Sequence, residues 1–109
     1  PKIATENCRI DWKNDAVDIH NQIRSFSPFP GAFAYYKNKR VKLYDSSVES
    51  SLYKIALKPG NIKYTDSSFL IGTGTVPIRI YNIQMEGKKV LPVKQFILGV
   101  PKITGDSFD

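Results

Sequence analysis

The stretch Ile10–Ala32 constrains this chain most, because it holds the only sustained helical periodicity and everything after it is broken into short pieces by turn residues. Ala16, Ile19, His20, Ile23 and either Phe26 or Ser27 recur at helical spacing, which gives one packing face, while Asp15, Asp18, Gln22 and Ser25 fall on the other. Asn14 is the expected N-cap of a helix running to about Ser25. Asp15 and Asp18 then lie at the positive end of the helix dipole and Arg24 at the negative end, so the local charges agree with that direction. Pro28 and Pro30 stop the helix, since neither ring has an N–H to donate and each disfavours helical geometry in the preceding residue; Gly31 completes the turn.

Beyond Ala32 the pattern is that of strands. Ala32–Tyr36 and Val41–Asp45 flank Lys37-Asn38-Lys39-Arg40 as a hairpin with Asn38 as its turn residue. Val41 and Leu43 share one face of the second strand, which puts Lys42 on the other. Ser46–Ser51 reads as a polar loop. Leu52–Leu57 and Asn61–Thr65 read as strands about Lys58-Pro59-Gly60, a type II turn signature. Phe69–Gly72 and Val76–Gln84 follow, joined through Thr73-Gly74-Thr75, with Pro77 tolerable near a strand start. Met85–Lys89 is a charged turn. Pro92–Leu98 reads as a short helix anchored by Phe96 and stopped by Gly99, and Val100–Asp109 as a wrapped or frayed tail. One leading helix and a series of strands without alternating strand–helix units fit a β-rich α+β fold, either an antiparallel Greek-key-like barrel or a small α+β sheet.

The 109 residues suit one domain. Its 16 Lys+Arg against 10 Asp+Glu leave a net charge of +6, and the distribution of that charge is informative. Residues 1–30 are neutral, so the whole excess falls in the strand-rich part. Lys37, Lys39, Arg40 and Lys42 cluster at one turn and Lys88 and Lys89 at another, with Lys54, Lys58, Lys63 and Arg79 between them. Such clusters suit phosphates, although lysines also guard edge strands and keep small domains soluble. Tyr35, Tyr36, Tyr44, Tyr53 and Tyr64 are able to stack bases but more often fill a sheet face.

Catalytic chemistry is not visible. His20 is the sole histidine, lies on the packing face and has no nucleophile or acid at motif spacing, so a core or interface role is expected. Cys8 is the sole cysteine, which excludes an intramolecular disulfide and suits a reducing compartment. One His and one Cys offer no zinc spacing. Gly72-Thr73-Gly74 lacks the following helix that a phosphate loop requires and is expected to be a turn. No apolar run reaches about 18 residues, so no membrane partner is expected, and the polar opening at Pro1 reads as a linker. A cytoplasmic location is expected.

Ile10-Asp11-Trp12, His20-Asn21-Gln22-Ile23-Arg24 and Pro28-Phe29-Pro30-Gly31-Ala32 together resemble the opening of the C-terminal domain of the methionyl-tRNA formyltransferase family. Arg40-Val41-Lys42, Pro59-Gly60, Gly72-Thr73-Gly74, Gln84–Lys89, Phe96 with Gly99, and Gly105-Asp106 continue the likeness in order, while Pro92 and Cys8 depart from the pattern. The resemblance implies an OB-like Greek-key barrel with a leading helix and a short late helix over residues 10–109. Residues 1–9 would then link it to an N-terminal Rossmann-like catalytic domain. It implies an intact enzyme that moves a formyl group from 10-formyltetrahydrofolate to the amino group of initiator methionyl-tRNA, with its catalytic residues outside this chain. It also implies a tRNA-binding role for Lys37, Lys39, Arg40, Lys42, Lys88 and Lys89. The same C-terminal fold also serves formyltransferases acting on sugar nucleotides or folate, and that alternative stays open. An independent oligonucleotide-binding protein fits the linker-like start less well.

Overall fold

Helix α1 (Ala16–Phe26) buries Ala16, Ile19 and Ile23 and leaves Asp15, Asp18 and Ser25 in water, as its periodicity requires. The computed structural model describes residues 8–27, 31–49, 55–65, 67–100, 103 and 105–108. The N-cap differs from expectation: it is Asp15, in extended backbone, and no local side chain caps the helix. The acceptor comes instead from 59 residues away, where the Thr75 hydroxyl takes the Ala16 N–H at 3.0 Å. Ser27, before Pro28, is already extended (φ −81°, ψ 141°), the geometry a following proline favours. Pro28 and Pro30 themselves lie outside the described residues.

Strands β1 (Phe33–Tyr36), β2 (Lys39–Ser47), β3 (Ile62–Thr65), β4 (Ser68–Ile71), β5 (Ile78–Met85) and β6 (Val90–Pro92) precede helix α2 (Val93–Gly99). They form one antiparallel six-stranded sheet in the order β1-β2-β5-β4-β3, with β6 on β5. Among the described residues the path is open, ending at β1 and β3, so this sheet is not the closed barrel that was expected. The β1–β2 hairpin turns through Lys37 and Asn38, both at positive φ (50° and 69°), the two-residue geometry that matches strand twist.

Several strand bounds move. Ser46 and Ser47, expected in a loop, extend β2 because they pair with Ile80 and Arg79. Of the expected strand Leu52–Leu57, residues 52–54 lie outside the described residues and 55–57 are not strand. The Lys58–Gly60 turn nevertheless forms: Gly60 has φ +89° and the Asn61 N–H reaches the Lys58 carbonyl at 2.9 Å. Pro59 bridges Gly72 rather than closing a hairpin. β5 begins at Ile78, after Pro77, and β6 was not expected at all.

β2 and β5 change faces together. Leu43 and Ile83 pair with their side chains buried, but beyond the unpaired Asp45–Tyr81 position the core residues of β5 are Ile80 and Ile78. Asp45 stands at φ +57°, and that local rotation redirects the residues that follow it. The spacing Ile78, Ile80, Ile83 carries the same break of alternation.

The core joins α1 to the sheet through Ile10, Trp12, Ile19, Ile23, Leu43, Phe69, Ile71, Ile78, Ile80 and Ile83, and α2 adds Val93 and Phe96. Packing begins by Cys8, which is buried, and Arg9, which bridges Phe33. The described part of the tail is wrapped. Phe108 stacks on Trp12 at 5.8 Å, its N–H reaches the Gly60 carbonyl at 2.9 Å, and Asp106 accepts from the Tyr36 hydroxyl at 2.7 Å.

Candidate nucleic-acid interface

The β2–β5 register, Val41↔Met85 and Lys42↔Gln84, sets the start of β2 beside the end of β5 and the Glu86–Lys89 turn. Two backbone-anchored bonds tie them: the Glu86 N–H donates to the Arg40 carbonyl at 2.8 Å, and the Arg40 N–H donates to the Glu86 carboxylate at 3.3 Å. Arg40, Lys42, Gln84, Met85, Glu86 and Gly87 line a cleft of about 350 Å³. Across Met85 lies a second cleft of about 210 Å³, where Lys88 and Lys89 stand at the edge of an apolar floor including Leu91 and Phe96. The two basic turns, far apart in sequence, therefore meet at one end of the sheet.

The six cations differ in what else they do. Lys39, Lys88 and Lys89 are exposed. Lys37 is also exposed, with its ammonium 5.4 Å over the Tyr36 ring and 3.9 Å from Asp106. The Arg40 guanidinium covers the Phe33 ring at 4.6 Å, and its buried Nε has no hydrogen-bond partner among the described residues. Lys42 is half-buried because its methylenes lie along Gly31.

Arg79 does not join this surface. Its Nε meets Glu49 at 2.7 Å and its terminal nitrogen meets the Ser68 hydroxyl at 2.6 Å, so it ties β5 to the loop after β2 and to β4. The bond from Arg79 holds the Glu49 carboxyl below the usual carboxylate range. Lys58 and Lys63 are exposed elsewhere, and Lys54 lies outside the described residues. The tyrosines mostly fill the sheet: Tyr36 and Tyr44 are buried and Tyr64 packs edge-on against Phe69, while Tyr53 is outside the described residues. Burial, together with the Asp106 hydrogen bond and charge, pushes the Tyr36 phenol up to about 12. Tyr81 was not among the rings expected to stack bases, yet it is exposed, as its place opposite Ile78 and Ile80 in the alternation of β5 requires.

The Gly72-Thr73-Gly74 segment is a turn with a structural purpose. The Thr73 hydroxyl donates to the Val76 carbonyl at 2.6 Å, and the Gly74 N–H donates to the Asn14 carbonyl at 2.8 Å. A Cβ at Gly74 would fall 2.1 Å from the Lys13 carbonyl oxygen, so only glycine lets the loop lie against the entry to α1. His20 is half-buried, and its Nδ1 is 2.6 Å from the Ser46 hydroxyl. Burial and the nearby Arg24 charge hold its imidazole below the ordinary range. Among the described residues no three His, Cys, Asp or Glu side chains are grouped to hold a metal.

Comparison with known proteins decides the family. The pattern described as formyl transferase, C-terminal domain, matches residues 2–101. The chain belongs to the formyltransferase C-terminal domain family. Curated relatives of this domain include the methionyl-tRNA formyltransferase of Dechloromonas aromatica, 36% identical over 99% of the chain and 34% of the relative. That of Carboxydothermus hydrogenoformans is 32% identical over 100% of the chain and 35% of the relative. The chain spans about a third of the length of the curated relatives it matches. Among solved structures, the formyltransferase C-terminal domain superposes on HypX from Aquifex aeolicus in complex with tetrahydrofolic acid. The TM-score is 0.76 at 25% identity, covering 89% of this chain and 17% of HypX.

Proposed function

We propose that this chain is the tRNA-binding C-terminal domain of a methionyl-tRNA formyltransferase, with the residues before Cys8, rather than all of 1–9, leading from an N-terminal Rossmann-like catalytic domain. The intact enzyme would transfer the formyl group of 10-formyltetrahydrofolate to the methionine amino group of the initiator tRNA, forming an N–C bond and releasing tetrahydrofolate. The acid–base chemistry would belong to the other domain, while this one holds the RNA. The observation that carries the reading is the meeting of Lys39, Arg40 and Lys42 with Lys88 and Lys89 at one end of the sheet, in a family whose curated relatives bear this name. Point charges on turns engage phosphates and fix orientation without reading sequence. Lys37 extends the surface at the adjoining turn. The face change in β2 and β5 supports a coiled, OB-like Greek-key sheet. The relatives' role in acting on tRNA supports a cytoplasmic place, and no described helix is long and apolar enough to cross a membrane.

The second reading is an accessory domain of a formyltransferase acting on a sugar nucleotide or folate, which the likeness to HypX in complex with tetrahydrofolic acid fits less well than the curated relatives fit the first. Salt titration of tRNA binding separates the two. Replacing the exposed Lys39, Lys88 and Lys89 by Ala is expected to lower the slope of log affinity against log salt by about 0.7–0.9 for each phosphate that is no longer neutralised. Equal slopes for the wild type and the triple variant would remove these turns from the binding surface.

A further inference from the structure

The motif His20–Arg24 is not used by the surface described above, yet it lines a third cleft. This cleft, about 420 Å³, lies between the last turns of α1 and the kink of β2 and is lined by His20, Ile23, Arg24, Ser27, Asp45 and Ser46. We propose that it is a ribose-phosphate subsite, in which Arg24 and the Ser27 and Ser46 hydroxyls take a phosphate and the Asp45 carboxylate takes the adjoining ribose 2′-hydroxyl. That the unit is carried by tRNA rests on the function proposed above; the subsite itself does not.

Three observations converge on this cleft. First, Asp45 holds a left-handed backbone (φ +57°) inside a strand, and the position interrupts pairing with Tyr81. A non-glycine residue held in that region costs energy and is kept where the surroundings impose it, often at ligand clamps. Second, the Asn82 side-chain amide donates to one oxygen of the Asp45 carboxylate, which fixes the group and leaves its other oxygen as an acceptor. Third, Arg24 has no carboxylate within ion-pair distance among the described residues. Its field reaches the His20 ring, and that ring is itself bonded to Ser46.

The donor and acceptor set selects the ligand. A guanidinium and two hydroxyls suit an oxyanion, but a fixed carboxylate in the same cleft repels an anion that brings no donor of its own. A ribonucleotide sets a hydroxyl donor beside its phosphate, and a deoxyribonucleotide does not. The weak negative end of α1 also disfavours an anion here. Part of that end is closed off, because the Phe26 carbonyl accepts the Gly31 N–H at 2.9 Å. On the plainer view Arg24 simply balances the helix end and the cleft is solvated.

His20 is the only histidine, so its ring Cε1–H resonance reports on the cleft without assignment. The chain is titrated at constant ionic strength with adenosine 3′-monophosphate, its 2′-deoxy counterpart and inorganic phosphate. A saturable shift is expected with the ribonucleotide, with half-saturation about five-fold higher for the deoxynucleotide, the value of one hydrogen bond. Arg24→Gln should abolish saturation. Asp45→Gly, which suits the left-handed region and carries no side-chain partner for the 2′-hydroxyl, should bring the two nucleotides to equal half-saturation. A resonance that does not move, equal saturation by the ribo- and deoxynucleotide or by inorganic phosphate in the wild type, or a shift unchanged in Arg24→Gln would overturn the proposal. A flat mononucleotide titration alongside a Lys39/Lys88/Lys89-dependent salt slope would remove this subsite and leave the tRNA reading intact. A saturable ribonucleotide shift in a chain that binds no tRNA would do the reverse.

Discussion

Thr75→Ala tests whether α1 is capped through space rather than along the chain. The Thr75 hydroxyl is the side-chain acceptor for the Ala16 N–H, at 3.0 Å, and Ala16 is 0% exposed, so water cannot readily replace it. Leaving a buried donor unpaired costs about 1–3 kcal/mol, and losing an N-cap about 0.5–2 kcal/mol. Thr75 itself is exposed, so little apolar burial is lost with it, and the expected cost is about 1–2 kcal/mol. For a domain of this size that is roughly 4–16 °C in Tm, or about 1 M in the urea midpoint if the slope is near 1.5 kcal/mol/M. Thr75→Ser should recover most of the loss. Asn14→Ala, which removes the side chain expected to cap from sequence, should change the midpoint little, because Asn14 acts through its carbonyl on Gly74. Urea unfolding followed by far-ultraviolet circular dichroism measures all three variants. A Thr75→Ala midpoint equal to wild type, or an Asn14→Ala loss larger than that of Thr75→Ala, would refute the long-range cap.

Ile23→Ala should cost about 2–5 kcal/mol, since Ile23 is 1% exposed between α1 and the sheet; an unchanged unfolding midpoint would detach the helix from the core. Tyr36 links pH to the tail: its phenol is raised to about 12, so its contribution to stability is whole below about pH 10 and is lost as pH climbs toward 12. The stability gap between wild type and Tyr36→Phe, measured by urea unfolding at each pH, should narrow across that window. A gap that stays constant from pH 10 to 12 would contradict the Tyr36–Asp106 coupling.

Much of the fold was legible because it rests on local rules. The packed face of α1, the Lys37-Asn38 hairpin, the Lys58–Asn61 turn with Gly60 at positive φ and the Phe96 anchor of α2 all follow from residues within a few positions of one another. The misreadings were long-range. β2 runs on through Ser46 and Ser47 because β5 supplies backbone partners, which outweighs their loop composition, and β6 is strand because β5 lies beside it. Likewise Arg79 resembled any other base in the chain until Glu49 and Ser68 were found around it.

For the candidate interface the same division holds. Residue types and spacing by themselves determined that the positive excess lies beyond residue 30, that it concentrates at two turns, and which family the chain resembles. Only the tertiary structure decided that Lys42 and Lys88, 46 residues apart in number, flank neighbouring clefts, and that Asp45 and Ser46 face His20 and Arg24. The reason is physical. Turn and helix preferences are energies between near neighbours and are written in short stretches of sequence. Strand pairing and the closure of a cleft depend instead on which distant segments bury their apolar faces together, and that choice is made by the whole core at once.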